Sequence, residues 1–286
     1  MNKTLLSLAA ALGCSAAFVA PAAHAVTGTG ALSFSHAWTF AHSAAPGDAF
    51  LSEILSFDSV TQSLWVAGVT GVDVLNARTG MRIGDRIDTT AFGSINSVAI
   101  SNGLAAFAIQ APVQTDNGLV QLYDTTTRSL ASGVNSIAVG ALPDMVTFTP
   151  NGQTLLVANE GTPLVYGPRT SASSEFPRTF GPAAVDPLGT VSIINVATRT
   201  LVASADPQAM GVPQVASNTG LNIRANIGAN FEPEYIAVNA AGTRAYVAIQ
   251  EANALGVLNL ETNEFDKVIG LGSKDFGAAG NEIDPL

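Results

Sequence analysis

DMVTFTPNGQTLLVANE, residues 144–160, is one strand, one tight turn and a second strand. Asp144 opens it, apolar and polar residues alternate to Phe148, and Pro150-Asn151-Gly152 supplies the turn. The apolar run Leu155–Ala158 then leads to the polar close Asn159-Glu160. The same grammar recurs at Glu53 (EILSFDSVTQSLWVAG), Asn96 (NSVAISNGLAAFAIQ) and Glu234 (EYIAVNAAGTRAYVAIQE). Each unit is followed by a second hairpin: VDVLNARTGMRIG, VQLYDTTTRSLAS, VSIINVATRTLVA and LGVLNLETNEFDKVIG. Four strands per unit, repeated four times, predict an all-β fold: a β-propeller with four recognisable four-stranded blades.

Spacing works outward from these units. Glu53 to Asn96 is 43 residues and Asn96 to Asp144 is 48, each the length of one blade, whereas Asp144 to Glu234 is 90. The excess falls in two insertions, 161–189 and 205–230, rich in Gly, Pro, Ser, Ala and Asn. Expected blades cover about 52–92, 95–137, 142–204 and 232–272 of a propeller domain over 26–286. Residues 30–40 (GALSFSHAWTF) are expected to add one strand, as the outer strand of a last blade. Four blades are few for a closed ring, so the expectation is the N-terminal part of a larger propeller, its C-terminal anchor not present in this chain. An α/β solenoid would need a helical 3.6-residue pattern beside the strands, and none accompanies them.

Residues 1–25 have the features of a signal peptide: Lys3, an apolar stretch from Leu5 to Leu12, and Ala23-His24-Ala25 before a start at Val26. The competing lipobox at Leu12-Gly13-Cys14 has Ala11 at its start and a very short apolar region. The expected location is therefore extracellular, at the cell surface or in the periplasm. Cys14 is the one cysteine, so the mature chain has no disulfide and no thiol nucleophile. Net charge is −10, becoming −11 once Lys3 leaves, which argues against nucleic acid and anionic membranes and suits a cation. No stretch is long and apolar enough for a transmembrane helix. The expected partner is an extracellular ligand or protein.

In a four-stranded meander the start of the first strand and the end of the second lie on one face. Glu53, Asn96, Asp144 and Glu234 are thus expected to ring one mouth of the central channel, joined by Asn159-Glu160, Gln250-Glu251 and both insertions. Carboxylates with amide oxygens nearby suit Ca²⁺, which takes roughly six to eight oxygen ligands. Asp144, Glu160, Glu234, Glu251 and Glu53 are the candidate metal ligands. The competing reading has each polar residue bonding the neighbouring blade's backbone, and both stay open. His36 and His42 precede the first blade, which disfavours a Ser-His-Asp triad or a histidine-rich metal site. The glycines sit in turns and form no phosphate loop. Trp38 and Trp65 are spaced like strand residues of a core. Asp58, Asn76 and Asp124 stand where side chains cap turns.

FEPEYIAVNAAGTRAYVAIQEANALGVLNLETNEFDKVIGLGSKDF (231–276) resembles the choice-of-anchor I family. LPDMVTFTPNGQTLLVANEG (142–161) followed by GTVSIINV resembles that family's preceding blade, and SEILSFD and INSVAI its earlier ones. The resemblance implies an exported bacterial β-propeller, akin to mesenchyme-type cell-surface glycoproteins and to proteins labelled alkaline-phosphatase-like. The matching positions are Glu232, Glu234, Gln250, Glu251, Asn253, Lys274 and Asp275, then Asp144, Asn159, Glu160 and Gly161, with Arg224 in the loop before Glu232. After Gly161 the family carries further acidic residues, whereas this chain has Thr162-Pro163. Two functions follow. One is a binding or interaction scaffold without catalysis. The other is a Ca²⁺-dependent phosphoesterase, with Arg224 or Lys274 holding phosphate.

Overall fold

The computed structural model describes residues 35–42, 50–170, 172, 180–210, 230–272 and 276–280. The chain divides into two units, Met1–Thr39 and Phe40–Leu286. Of the first, residues 35–39 are described; His36 Nε2 lies 2.8 Å from Thr39 Oγ1. The strand expected over residues 30–40 does not form at 35–40, and the signal peptide falls outside the described residues.

The second unit is all-β. Its first sheet holds β1 (Ser52–Asp58), β2 (Ser63–Gly68), β3 (Gly71–Asn76) and β4 (Ile87–Asp88). The second holds β5 (Ser94–Ser101), β6 (Leu104–Gln110), β7 (Asn117–Asp124), β8 (Ser129–Leu130) and β9 (Ser136–Ala141). The third holds β10 (Pro143–Phe148), β11 (Thr154–Asn159), β12 (Thr190–Asn195) and β13 (Thr200–Ala205). The fourth holds β14 (Pro233–Val238), β15 (Arg244–Ile249), β16 (Ala254–Asn259) and β17 (Glu264–Gly270). Every pair within a sheet is antiparallel, and all but the β7–β9 pair follow chain order. β8 and β9 both pair with β7, so they are one outer strand interrupted around Gly133. The first sheet's outer strand is broken likewise around Gly84, with Arg82 bridging Leu75 before β4.

The middle strands have uninterrupted apolar runs because both their faces are covered. Leu155 and Val157 of β11 pack with Val120, Leu122 and Val146 between the second and third sheets. Leu156 and Ala158 of the same strand point the other way, to Ile236, Val247 and Leu258 of the fourth. Trp65, Val74, Ile95 and Phe107 fill the seam between the first and second. Trp65 is fully buried and its Nε1 donates to Ser63 Oγ at 3.0 Å, as a core tryptophan requires.

Side-chain caps close the turns. Asp58 accepts the Val60 and Thr61 amides, Asn76 those of Arg78 and Thr79, and Asp124 that of Thr127. Asn195 and Asn259 do the same in the third and fourth sheets, accepting from Thr198 and Glu261.

Candidate functional site

The first strand of every sheet begins with a register break. The breaks fall between Ser52 and Leu55, Ile95 and Ser97, Pro143 and Met145, and Pro233 and Ile236. Glu53, Asn96, Asp144 and Glu234, one per sheet, lie inside those breaks, Glu53 beside Ile54 and Glu234 beside Tyr235. A bulge leaves its extra residue unpaired and re-aims the side chain. Leu51 and Leu142, two residues ahead of Glu53 and Asp144, sit in the left-handed region at φ 42° and 50°, a conformation costly for a branched side chain.

The carboxylates gathered there feel one another. Burial pushes Asp144 up to about 6, with the charge of Glu53 adding to it. Burial likewise lifts Glu160 to about 7, helped by Asp144, Glu234 and Glu251, against a Thr162 hydrogen bond that pulls it down. Glu234 also stands at about 7, first through burial and then through Glu251 and Asp144. Glu53 is exposed, whereas Asp144, Glu160, Glu234 and Glu251 are half-buried. Around neutral pH this group therefore carries protons as well as charge.

The two ends of the 161–189 insertion meet. Gly161, at φ 70°, lies against the far end of its own loop: a Cβ there would stand 2.6 Å from the Leu188 carbonyl carbon. Gly189 admits the backbone of the next sheet, since its Cβ would meet the Phe231 oxygen at 2.2 Å. These contacts bring Glu232, almost fully buried, up to Thr162. Thr162 Oγ1 is 2.7 Å from Glu232 Oε2 and 3.1 Å from Glu160 Oε2. A hydroxyl has one proton to give, so the two carboxylates compete for it.

The amide candidates behave differently from the acids. Asn96 Nδ2 donates to Gln110 Oε1 and to the Pro143 carbonyl, tying the second sheet to the third. Asn159 is fully buried and spends Nδ2 on Thr190 and Ser192. Asn253 Nδ2 donates to the Gly272 carbonyl, and Gln250 is exposed, its carbonyl accepting the Asn253 amide. Arg224, Lys274 and Asp275 lie outside the described residues. Among the described residues no three His, Asp or Glu side chains are grouped as a ready metal site.

A second polar centre escapes sequence reasoning. Asp73, on β3, is fully buried and takes Arg86 Nε at 3.1 Å and Nη2 at 3.1 Å, with His42 Nδ1 at 3.0 Å. His42 stacks on Phe50 at 4.8 Å, and the Arg86 guanidinium lies 4.1 Å over the same ring. Arg86 and His42 hold the Asp73 carboxyl below the usual range even though burial opposes them. A lone aspartate inside an apolar strand was the one available signal, and its partners come from 31 and 13 residues away.

No curated protein matches the chain. Among solved structures it is similar to a chain of Kuenenia stuttgartiensis hydrazine synthase. The TM-score is 0.53 and the identity 11%, over 82% of this chain and 53% of that one. Such a likeness concerns the fold alone, and this chain spans about half the length of its counterpart. Among the described residues no helix is long and apolar enough to cross a membrane. The choice-of-anchor I domain model matches residues 53–286, from the first bulge onward. With most of its length under that match, the chain belongs to the choice-of-anchor I family, a group of extracellular or surface β-propeller-like proteins.

Proposed function

We propose that this protein is an exported binding scaffold, directed outward by residues 1–25, whose ligand-binding face is the acidic mouth formed by the four bulges. The observation that carries the reading is that Glu53, Asp144 and Glu234 sit in matching register breaks, near enough to Glu160 and Glu251 for the charges to raise one another's protonation. Carboxyls held above their ordinary range by burial and by one another are relieved when a cation arrives. Ca²⁺ is the first cation to test, because the mouth offers hard oxygen donors. Glu53, Asp144, Glu160, Glu234 and Glu251 would supply them, drawing closer together than they stand in its absence. The phosphoesterase alternative has no observation of its own, and its phosphate-binding candidates Arg224 and Lys274 are not described.

Calorimetric titration with Ca²⁺ tests the reading, on the wild type and on Asp144→Ala and Glu234→Ala, with p-nitrophenyl phosphate turnover followed alongside. Saturable binding lost in both variants, without turnover, is the expected result. Absence of cation binding would make the carboxylates structural. Cation-dependent turnover would restore the phosphoesterase.

A further inference from the structure

The two limbs of the 161–189 insertion, 161–170 and 180–189, form a braced finger. They run antiparallel. A Cβ on Gly161 would meet Leu188 at 2.6 Å, one on Gly167 would meet the Gly181 and Pro182 oxygens at 2.2 Å, and Arg169 bridges Phe180. That constant register sets Leu164 opposite Val185. The Gly181 amide donates to the Pro168 carbonyl at 2.8 Å, and the Tyr166 and Phe180 rings lie 5.3 Å apart. Pro163 and Pro168 on one limb, with Pro182 and Pro187 on the other, fix their own φ and leave little freedom to lose on binding. Gln114 of the second sheet steadies the base, its Nε2 donating to the Thr162 carbonyl at 3.1 Å.

Leu164, Val165, Val185 and Leu188 are each more than half exposed on these limbs. Aliphatic side chains gathered on a braced, water-facing element make a contact surface. It rises beside the acidic mouth, since Thr162 at its base touches Glu160 and Glu232. The opposite end of the strands carries the converse. There Leu130 and Val134 are about half exposed, with Arg128 two residues before Leu130. Arg199 is anchored through Nη1 on the Val134 and Ser132 carbonyls, which holds its charge at the same apolar spot. Asp124, the only acid from Asp124 to Ser136 or from Asn195 to Val202, is spent on the turn at Thr127. One end thus offers aliphatics with carboxylates, and the other aliphatics with guanidiniums.

We propose that the finger docks on the edge at Leu130 and Val134 of a second copy of this chain, mouth end to opposite end. Aliphatic side chains meet at the centre and opposite charges pair around them, as in a specific contact. The two patches differ, so the contact is heterologous. Each pair of copies keeps one free finger and one free edge, and a rotation that does not close gives an open chain. This association goes beyond the cation reading of the mouth and does not require it.

Sedimentation velocity on the full chain in chelator, from about 1 μM to about 1 mM, tests this apart from any cation. The weight-average mass should climb past the dimer with concentration, and less so at raised ionic strength. Leu164→Ser with Val185→Ser, both at exposed positions, should weaken association at least about tenfold. Arg199→Glu should do the same from the other face, and Leu130→Ser tests that face without depending on how Arg199→Glu folds. A mixture of the finger variant with the edge variant Leu130→Ser is decisive. The intact edge of the first accepts the intact finger of the second, so the mixture should form dimers and nothing longer. A monomer throughout, a wild-type plateau at the dimer, or association untouched by the edge variants would each overturn the proposal. So would a mixture no more associated than its separate components.

Discussion

The hydroxyl of Thr162 donates to the carboxylate of Glu232 at 2.7 Å, across 70 residues of sequence. Glu160, 3.1 Å from the same oxygen, competes for that proton. The link joins the third sheet to the segment that enters the fourth, and its state depends on pH.

Without cation, stability should fall as pH rises from the ordinary carboxylate range to about 7. Asp144, Glu160 and Glu234 have folded values of about 6, 7 and 7, against 3.8, 4.5 and 4.5. In that window the folded state holds protons that the unfolded state has released, so ∂ΔG/∂pH for unfolding is negative. Thermal denaturation at stepped pH in chelator should show a falling Tm. A flat or rising profile across the window would contradict the raised values.

Asp144→Asn removes a charge that acts on both Glu160 and Glu234. Their titrations should move down, readable by carboxyl-carbon NMR, and the cation-free protein should gain a few degrees of Tm at pH 8. Cation affinity should drop in the same variant. Gains in both would show that Asp144 is not a ligand.

The shared position of four of the candidate residues was legible from the repeat. Aligning four units put Glu53, Asn96, Asp144 and Glu234 in one structural position, and each proves to occupy the same register break. The repeat could not separate their roles: Asn96 has a partner in the neighbouring sheet's backbone, whereas Asp144 feels the charge of Glu53, and Glu234 those of Glu251 and Asp144. Thr162 read as a departure from the family pattern, because its partner Glu232 arrives only through the close approach at Gly189. Outer strands read as continuous segments, yet the glycines at 84 and 133 break them. Asp73 and His42 were out of reach, since nothing periodic connects them.

Asp73→Asn should destabilise the protein by about 3 kcal/mol, the lower end for breaking a buried ion pair. The variant loses the carboxylate that accepts two bonds from Arg86 and one from His42. Urea denaturation checks it, and the double variant with Arg86→Met should cost less than the sum of the singles. Strict additivity would show that the two residues are not energetically coupled.

Arg199→Ala removes two hydrogen bonds to exposed carbonyls of the second sheet's outer strand. A loss of about 1 kcal/mol is expected, seen as a lower urea midpoint with an unchanged slope. A larger loss with a changed slope would mean that the seam controls how cooperatively the sheets unfold.

Gly161 and Gly189 pinch the 161–189 insertion shut at its base, so its two ends meet whatever lies between them. Lengthening a loop whose ends are already joined is thermodynamically mild, about 0.6 kcal/mol for each doubling. The third sheet therefore carries a grafting point. A loop of another length or sequence can be set on that base while the strands beneath stay in register, so binding preference there can change without refolding the scaffold.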